Sequence, residues 1–406
     1  MTDRMYELRD SNDAKDDSDE LRRRIADEGY LFFRRLIEPS ALLALRADIL
    51  GVLGRAGWLE SGTDPVLGIA NIDGRCTEGD SEYSGPYGQV QRLESFHRVP
   101  HAPELVGMVQ AIMDASAIPL PGHKARIWFP KFTDHTTPTH QDFVHYQGSL
   151  DTLTCWAPVG DCPIELGPLA VLERSHKVRK VLAHHFSLGA GGLVVNVEEE
   201  KATHPELSGH WLSTDFEVGD ALFFPALTVH RALPNTTENL MRVSLDNRYQ
   251  REGGRIAEHM LLPHLYDFHK VGWDEIYRDW ESDDLKYYWR RHNYRRIKKN
   301  TSFRERGTAE AMQLARAGDE HALIALRRIV KASDPEAEQT SNCQVLWMRF
   351  FAQAATDPVL ATSGSVSAGL LSCSLPSMKV APARTSGTSS GAVILCQRAW
   401  AASSSL

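Results

Sequence analysis

The chain has 406 residues, 42% of them hydrophobic, enough for a sizeable core in one large domain or two small ones. Its 53 acidic residues outnumber 45 lysines and arginines, and the net charge of −8 argues against nucleic acid or an anionic membrane as a general partner. No apolar run is long enough to cross a bilayer, and Met1 opens an acidic, polar stretch, so no secretory leader is expected. The six cysteines form no Cys-x-x-Cys pair, so neither a zinc site nor a disulfide framework is signalled, and a reducing cytoplasm is the expected setting.

Residues 1–19, rich in Asp, Ser and Asn, read as a disordered acidic tail. A helix is expected from Asp19 to Tyr30. A second opens at Glu38-Pro39-Ser40, with Ser40 as cap, and keeps apolar residues at helical spacing to Leu53. Residues 55–100 read as loops, and His101 to Met113 as another helix. From about Arg126 the texture changes to short strands: 126–132, 152–159, 168–172, 214–218, 221–225 and 241–249. Gly219-Asp220 between two of these is a hairpin signal. Many short strands separated by turns predict a mainly β fold of the sandwich or jelly-roll kind. Beyond residue 255 the chain is expected to become a charged helical extension, with the basic run 288–306 as a solvated helix face and one helix from Gly307 to Lys331. The main domain is thus placed at 20–332, and residues 333–406 read as a low-complexity, disordered tail.

Candidate chemistry sits in the strand-rich part. Seventeen histidines and 53 acids give about two His-x-Asp/Glu triplets by random placement, and the chain has His140-Gln141-Asp142 and His204-Pro205-Glu206. The second has a proline at its centre, in a polar stretch, and reads as a surface loop. On an extended segment residues i and i+2 project to one side, so His140 and Asp142 can reach one metal while Gln141 points away. His230, closing the apolar run that begins at Leu222, offers a third ligand. Two imidazoles and one carboxylate are the facial ligand set of a non-haem Fe(II) centre, with positions left open for O₂ and a chelating acid. Arg242, on the next strand, must meet an anion if it points inward, and its planar fork matches a carboxylate. Ser244 faces the same side.

With these residues, the chain resembles the phytanoyl-CoA dioxygenase family of Fe(II)- and 2-oxoglutarate-dependent oxygenases. The resemblance runs from about residue 22 to 255. It is carried by Gly29-Tyr30, Thr137 to Asp142, Trp156 to Val159, Gly167-Pro168-Leu169, Arg174 to Lys177, Gly219-Asp220, Val229-His230 and Arg242-Val243-Ser244. It implies a double-stranded β-helix, a cupin-like jelly roll with flanking helices. It also implies Fe(II) on His140, Asp142 and His230, and 2-oxoglutarate on Arg242 with Ser244 beside it. Gln141 and Trp156 match positions that help line the co-substrate pocket. The pattern departs at Ala232, where some relatives carry a hydroxyl, and at Glu173-Arg174, which replaces a Pro-Gly; His176 reads as structural.

The implied reaction uses O₂ to oxidise an unactivated C–H bond of a small molecule, a specialised metabolite being preferred. Asp142 favours hydroxylation, or another oxidative outcome such as desaturation or ring formation, over halogenation, because related halogenases lack that carboxylate. Phe143, His145 and Tyr146 are candidates for the cavity mouth, and the loop 61–90 for a lid. Two other readings stay open: a non-catalytic jelly-roll module, and a zinc hydrolase using the same three ligands.

Overall fold

The computed structural model describes residues 4–333. The tail expected over residues 333–406 lies, apart from Ser333, outside the described residues. Strands are numbered in chain order. β1 (Met5–Glu7), β5 (His140–Gln141), β7 (Leu169–Leu172), β10 (Trp211–Ser213) and β12 (Val229–Ala232) form one sheet in the order β1-β10-β7-β12-β5. β2 (Leu31–Phe33), β3 (Ala117–Pro119), β4 (Lys124–Trp128), β6 (Leu153–Pro158), β11 (Ala221–Pro225) and β13 (Arg242–Arg251) form the second, in the order β2-β11-β6-β13, with β3 and β4 both on β13. Two small pairs remain: β8 (His185–Phe186) with β9 (Leu193–Val194), and β14 (Arg255–Ala257) with β15 (Arg295–Ile297).

Period-two alternation sorts each strand between two environments. Leu222, Phe224, Phe32 and Trp156 of the second sheet meet Leu169, Val171 and Leu212 of the first, forming the core between the sheets. The residues between them face the other way. Leu31, Phe33, Cys155, Ala157, Phe223, Val243 and Leu245 pack on the N-terminal helices. This is the expected jelly roll flanked by helices. Arg242, Ser244, Asp246 and Arg248 share the inner parity of β13, so a row of polar groups enters the interior.

The N-terminal segment departs from expectation. Met5–Glu7 pairs in parallel with Trp211–Ser213 at the sheet edge, and Ser18 already begins a helix to Glu28. Main-chain pairing holds this polar stretch, which composition does not reveal. The Asp17 carboxylate caps that helix by accepting from the Glu20 amide. The next helix, Pro39–Arg55, is capped by Glu38 rather than Ser40, which lies in its first turn. Part of the expected loop 55–100 is helical, at Ser81–Gln91 and Glu94–Arg98, where Tyr83, Tyr87 and Phe96 are buried.

Gly219-Asp220 does not make a hairpin. β11 pairs with β2 and β6, as the jelly-roll winding requires, and residues 214–218 make only a Phe216–Cys162 bridge. Asp220 instead accepts from the amides of Arg35 and Glu217 and from the Arg34 guanidinium. Residues 255–300 are not a helical extension. They wrap a cluster of Trp273, Tyr277, Trp280, Tyr288 and Trp289. The basic run lies across a 3-10 turn, a strand and a helix start. Helices follow at Ser302–Arg316 and Glu320–Ser333, two rather than one, broken at Gly318 with φ 91°. No helix among the described residues is long and apolar enough to cross a membrane.

Candidate metal centre

The antiparallel register of β5 and β12 sets His140 directly opposite His230. Their ring centroids are 4.2 Å apart. Asp142 follows β5 in a right-handed helical conformation (φ −59°, ψ −31°), at the start of the short helix Phe143–Tyr146. The turn, rather than a continued strand, brings its carboxylate back. Asp142 Oδ1 lies 3.5 Å from His140 Nε2 and 3.6 Å from His230 Nε2. One ligand atom from each of the three residues falls within 4.8 Å of the others, and all three side chains are buried. His204-Pro205-Glu206 is elsewhere, in a 3-10 turn, with His204 near Glu200.

The donors are oriented by the chain itself. His140 Nδ1 lies 2.8 Å from the Pro138 carbonyl, and His230 Nδ1 lies 2.9 Å from the Thr228 carbonyl. A carbonyl accepts only from N–H, so each ring carries its proton on Nδ1 and turns the Nε2 lone pair toward Asp142. Burial, followed by the neighbouring His140, pushes His230 down to about 3. Burial alone would raise Asp142, but the Arg248 guanidinium outweighs it and holds the carboxyl well below its usual range. Neutral imidazole and ionised carboxylate are the metal-binding forms.

Asp142 has two partners that motif reasoning missed. Arg248 Nη2 donates to Oδ1 at 2.8 Å, and the Thr154 hydroxyl donates to Oδ2. Both belong to inner-facing rows already visible in the strand alternation, two residues from Trp156 and six from Arg242. His230 is held from behind as well. The Val229 amide donates to Ser175 Oγ, and the Thr228 hydroxyl to the Gly29 carbonyl. His176 packs on Gly29 and bonds the Ala26 carbonyl, which accounts for it as a structural residue.

Arg242 lies deep on β13, only 1% exposed. Its Nε donates to the Gly167 carbonyl at 3.0 Å, and its guanidinium sits 5.4 Å from the Trp156 ring centre. Among the described residues no carboxylate pairs with it, and burial pushes it down to about 10. Three buried donors here have no hydrogen-bond partner among the described residues: Arg242 Nη1, the Ser244 hydroxyl and Trp156 Nε1. A dicarboxylic acid held by its far end would satisfy such a set. Gln141 is not part of it. Its carboxamide donates to the Leu227 and Lys180 carbonyls and accepts from the Leu182 amide. Alternation sends it away from His140, and it braces strands there instead of facing a co-substrate.

A cavity of about 650 Å³ lies against the centre, with His140 and His145 in its wall. Phe143 and Tyr146 do not line it. Thr77, Glu78 and Gly79 contribute from the stretch considered as a lid, and the 302–316 helix contributes Phe303, Arg304 and Gly307.

The family described as phytanoyl-CoA dioxygenase matches residues 25–244. The 1-deoxypentalenic acid 11-beta-hydroxylase of Streptomyces exfoliatus is 24% identical over 272 residues, covering 65% of this chain and 92% of that protein. The enzyme of the same name from Streptomyces arenae matches to the same extent. Among solved structures, the non-heme alpha ketoglutarate dependent carbocyclase SnoK is 19% identical, with a TM-score of 0.40, covering 62% of this chain and 88% of SnoK. The epimerase SnoN, solved with Fe3+, alpha ketoglutarate and nogalamycin RO, is 16% identical, with a TM-score of 0.42, covering 59% of this chain and 85% of SnoN. The family match spans more than half of the sequence and includes His140, Asp142, His230, Arg242 and Ser244: this chain belongs to the phytanoyl-CoA dioxygenase family of Fe(II)- and 2-oxoglutarate-dependent oxygenases.

Proposed function

We propose that His140 Nε2, His230 Nε2 and the Asp142 carboxylate hold Fe(II), and that Arg242 receives the distal carboxylate of 2-oxoglutarate, with Ser244 and Trp156 donating beside it. The observation that carries this reading is Arg242, a buried guanidinium with no carboxylate partner among the described residues and an unused Nη1, lying on the inner face that leads to the triad. Burying such a cation is costly unless an anion arrives to meet it. Together, Fe(II) and 2-oxoglutarate supply activation of O₂ for oxidation of a C–H bond, with 2-oxoglutarate converted to succinate and CO₂.

The protein's part is orientation. The Pro138 and Thr228 carbonyls fix the two imidazoles, and Thr154 and Arg248 fix the two oxygens of Asp142. Arg242 and Ser244 would set the co-substrate's reach. The substrate is a small molecule that occupies the cavity beside His140 and is hydroxylated there. The similarity to two hydroxylases of 1-deoxypentalenic acid supports hydroxylation of a specialised metabolite.

The test is anaerobic addition of Fe(II) and then 2-oxoglutarate to the apoprotein, followed in the visible spectrum. A weak charge-transfer band that needs both additions, and succinate formation once O₂ is admitted, are the expected results. Binding of zinc in place of iron, with no succinate formed, would overturn the reading in favour of hydrolysis.

A further inference from the structure

The chain is acidic overall, yet the cavity beside the candidate centre is basic. Lys124, Arg126, Lys270, Lys299, Arg304 and Arg328 line it, against Glu78 and Asp267. Lys270, Lys299 and Arg304 are exposed, and none of the three is in an ion pair among the described residues. They form a cationic rim that attracts anions by simple electrostatics.

Deeper in, three cations share the inner face of β4 and β13, and they are not equivalent. Arg126 pairs with Glu78 and with Asp246. Arg248 pairs with Asp142 and Asp246. Lys124 pairs with no carboxylate among the described residues, although it is only 7% exposed. Its ammonium donates to the Tyr146 hydroxyl and lies 3.9 Å from the centre of that ring, which also carries Arg248 at 4.0 Å on its face. A neutral phenol and a ring already shared with a guanidinium are a poor replacement for water around an ammonium. Burial first, then Arg248 and Arg126, hold Lys124 well below the ordinary lysine range, so a carboxylate ligand would stabilise its charged form. Val144, Leu188, Met260, Leu265 and Phe303 give the walls an apolar part, beside the imidazoles of His140, His145, His259 and His264.

We propose that the substrate is an amphiphilic organic anion, with a carboxylate seated on the Lys124 ammonium and a hydrocarbon body along the apolar walls, in reach of His140. This rests on the proposed iron centre only in placing the reacting carbon, since the cavity and its lysine are features of the chain itself. Lys124 is then the residue that selects for acids over neutral analogues. The exposed rim draws the acid in but does not discriminate.

The experiment uses the protein loaded anaerobically with Fe(II) and saturating 2-oxoglutarate, so that Arg242 is already engaged. Decanoate and its neutral analogue decanamide are titrated by calorimetry into wild type, Lys124→Met and Lys124→Arg. The visible band is recorded in each sample. Decanoate should bind wild type at least tenfold more tightly than decanamide. Lys124→Met should abolish that preference with the band retained, and Lys124→Arg should keep most of it. Equal affinity for the two probes, no binding of either, or a preference that survives Lys124→Met would overturn the proposal. A missing band in wild type would instead count against the iron and 2-oxoglutarate assignment, and the acid preference would still report on Lys124.

Discussion

Arg248 and Asp142 are joined at the oxygen that also faces both imidazoles: Arg248 Nη2 lies 2.8 Å from Oδ1, and the same Oδ1 is 3.5 Å from His140 Nε2 and 3.6 Å from His230 Nε2. The carboxylate therefore has a cation whether or not a metal is bound. Replacing Arg248 with Met leaves Asp142 and Asp246 short of a partner in the interior. Removing one member of a buried pair costs about 3–5 kcal/mol. Denaturation of the Arg248→Met apoprotein should show a loss of that order, and saturating Fe(II) without oxygen should recover part of it. An equal loss with and without Fe(II) would detach Arg248 from the metal site.

Arg242 should act on the co-substrate and not on the metal. A hydrogen bond to a charged group contributes about 1.5–3 kcal/mol, so Arg242→Met should weaken 2-oxoglutarate binding by about ten- to a hundredfold. Fe(II) affinity should change little. Arg242→Lys should recover only part, because an ammonium cannot reproduce the planar fork. Spectral titration of the anaerobic, Fe(II)-saturated protein with 2-oxoglutarate measures the first quantity, and calorimetric titration of the apoprotein with Fe(II) measures the second.

Much of this centre was legible because its signals are local. His140 and Asp142 are two apart, His230 closes an apolar strand, and Arg242 and Ser244 obey simple alternation on β13. The support of the site was less legible, because it depends on register between strands. Only the pairing of β6 with β13, and the turn after β5, bring Thr154 and Arg248 onto Asp142. Gln141 was misplaced by transferring a family position when its own parity already sent it to the opposite face. The Met5–Glu7 strand was invisible to composition, since what holds it is main-chain pairing to Trp211–Ser213. The aromatic cluster of residues 273–289 is spread over irregular chain and shows no period to read.

Gly29 ties two distant family motifs together and offers a stability test. It ends the first helix with φ 85°, and a Cβ there would lie 2.4 Å from His176 Nδ1. Its carbonyl also receives the Thr228 hydroxyl next to His230. Gly29→Ala should destabilise the fold by about 1–3 kcal/mol, from left-handed strain and contact together. The double variant Gly29→Ala/His176→Ala should recover the contact part and retain the strain, so the two changes will not be additive in a double-mutant cycle. Additivity would place His176 outside the constraint on Gly29.

Acid should unfold the apoprotein earlier than its carboxylates require. His97, His101 and His123 meet edge to face, His123 lying 5.4 Å from His97 and 6.0 Å from His101 between ring centres. Burial pushes His97 down to about 4, and burial with His97 as neighbour pushes His101 down to about 3 and His123 well below its ordinary range. Between about 6.5, where the unfolded chain takes up these protons, and the folded values, the unfolded state binds more protons. Stability is then fully present above the unfolded value and falls as the pH drops. Each histidine contributes a slope of about 1.4 kcal/mol per pH unit inside its window. The depressed Asp142 adds its own loss only below about 4, the range of an unfolded carboxyl. Urea midpoints of the apoprotein from pH 7.5 to 5 should therefore fall steeply. His101→Phe should keep the ring packed on Tyr288 and flatten the curve by about one proton's worth. A midpoint independent of pH across that range would mean that these histidines are free to protonate in the folded chain.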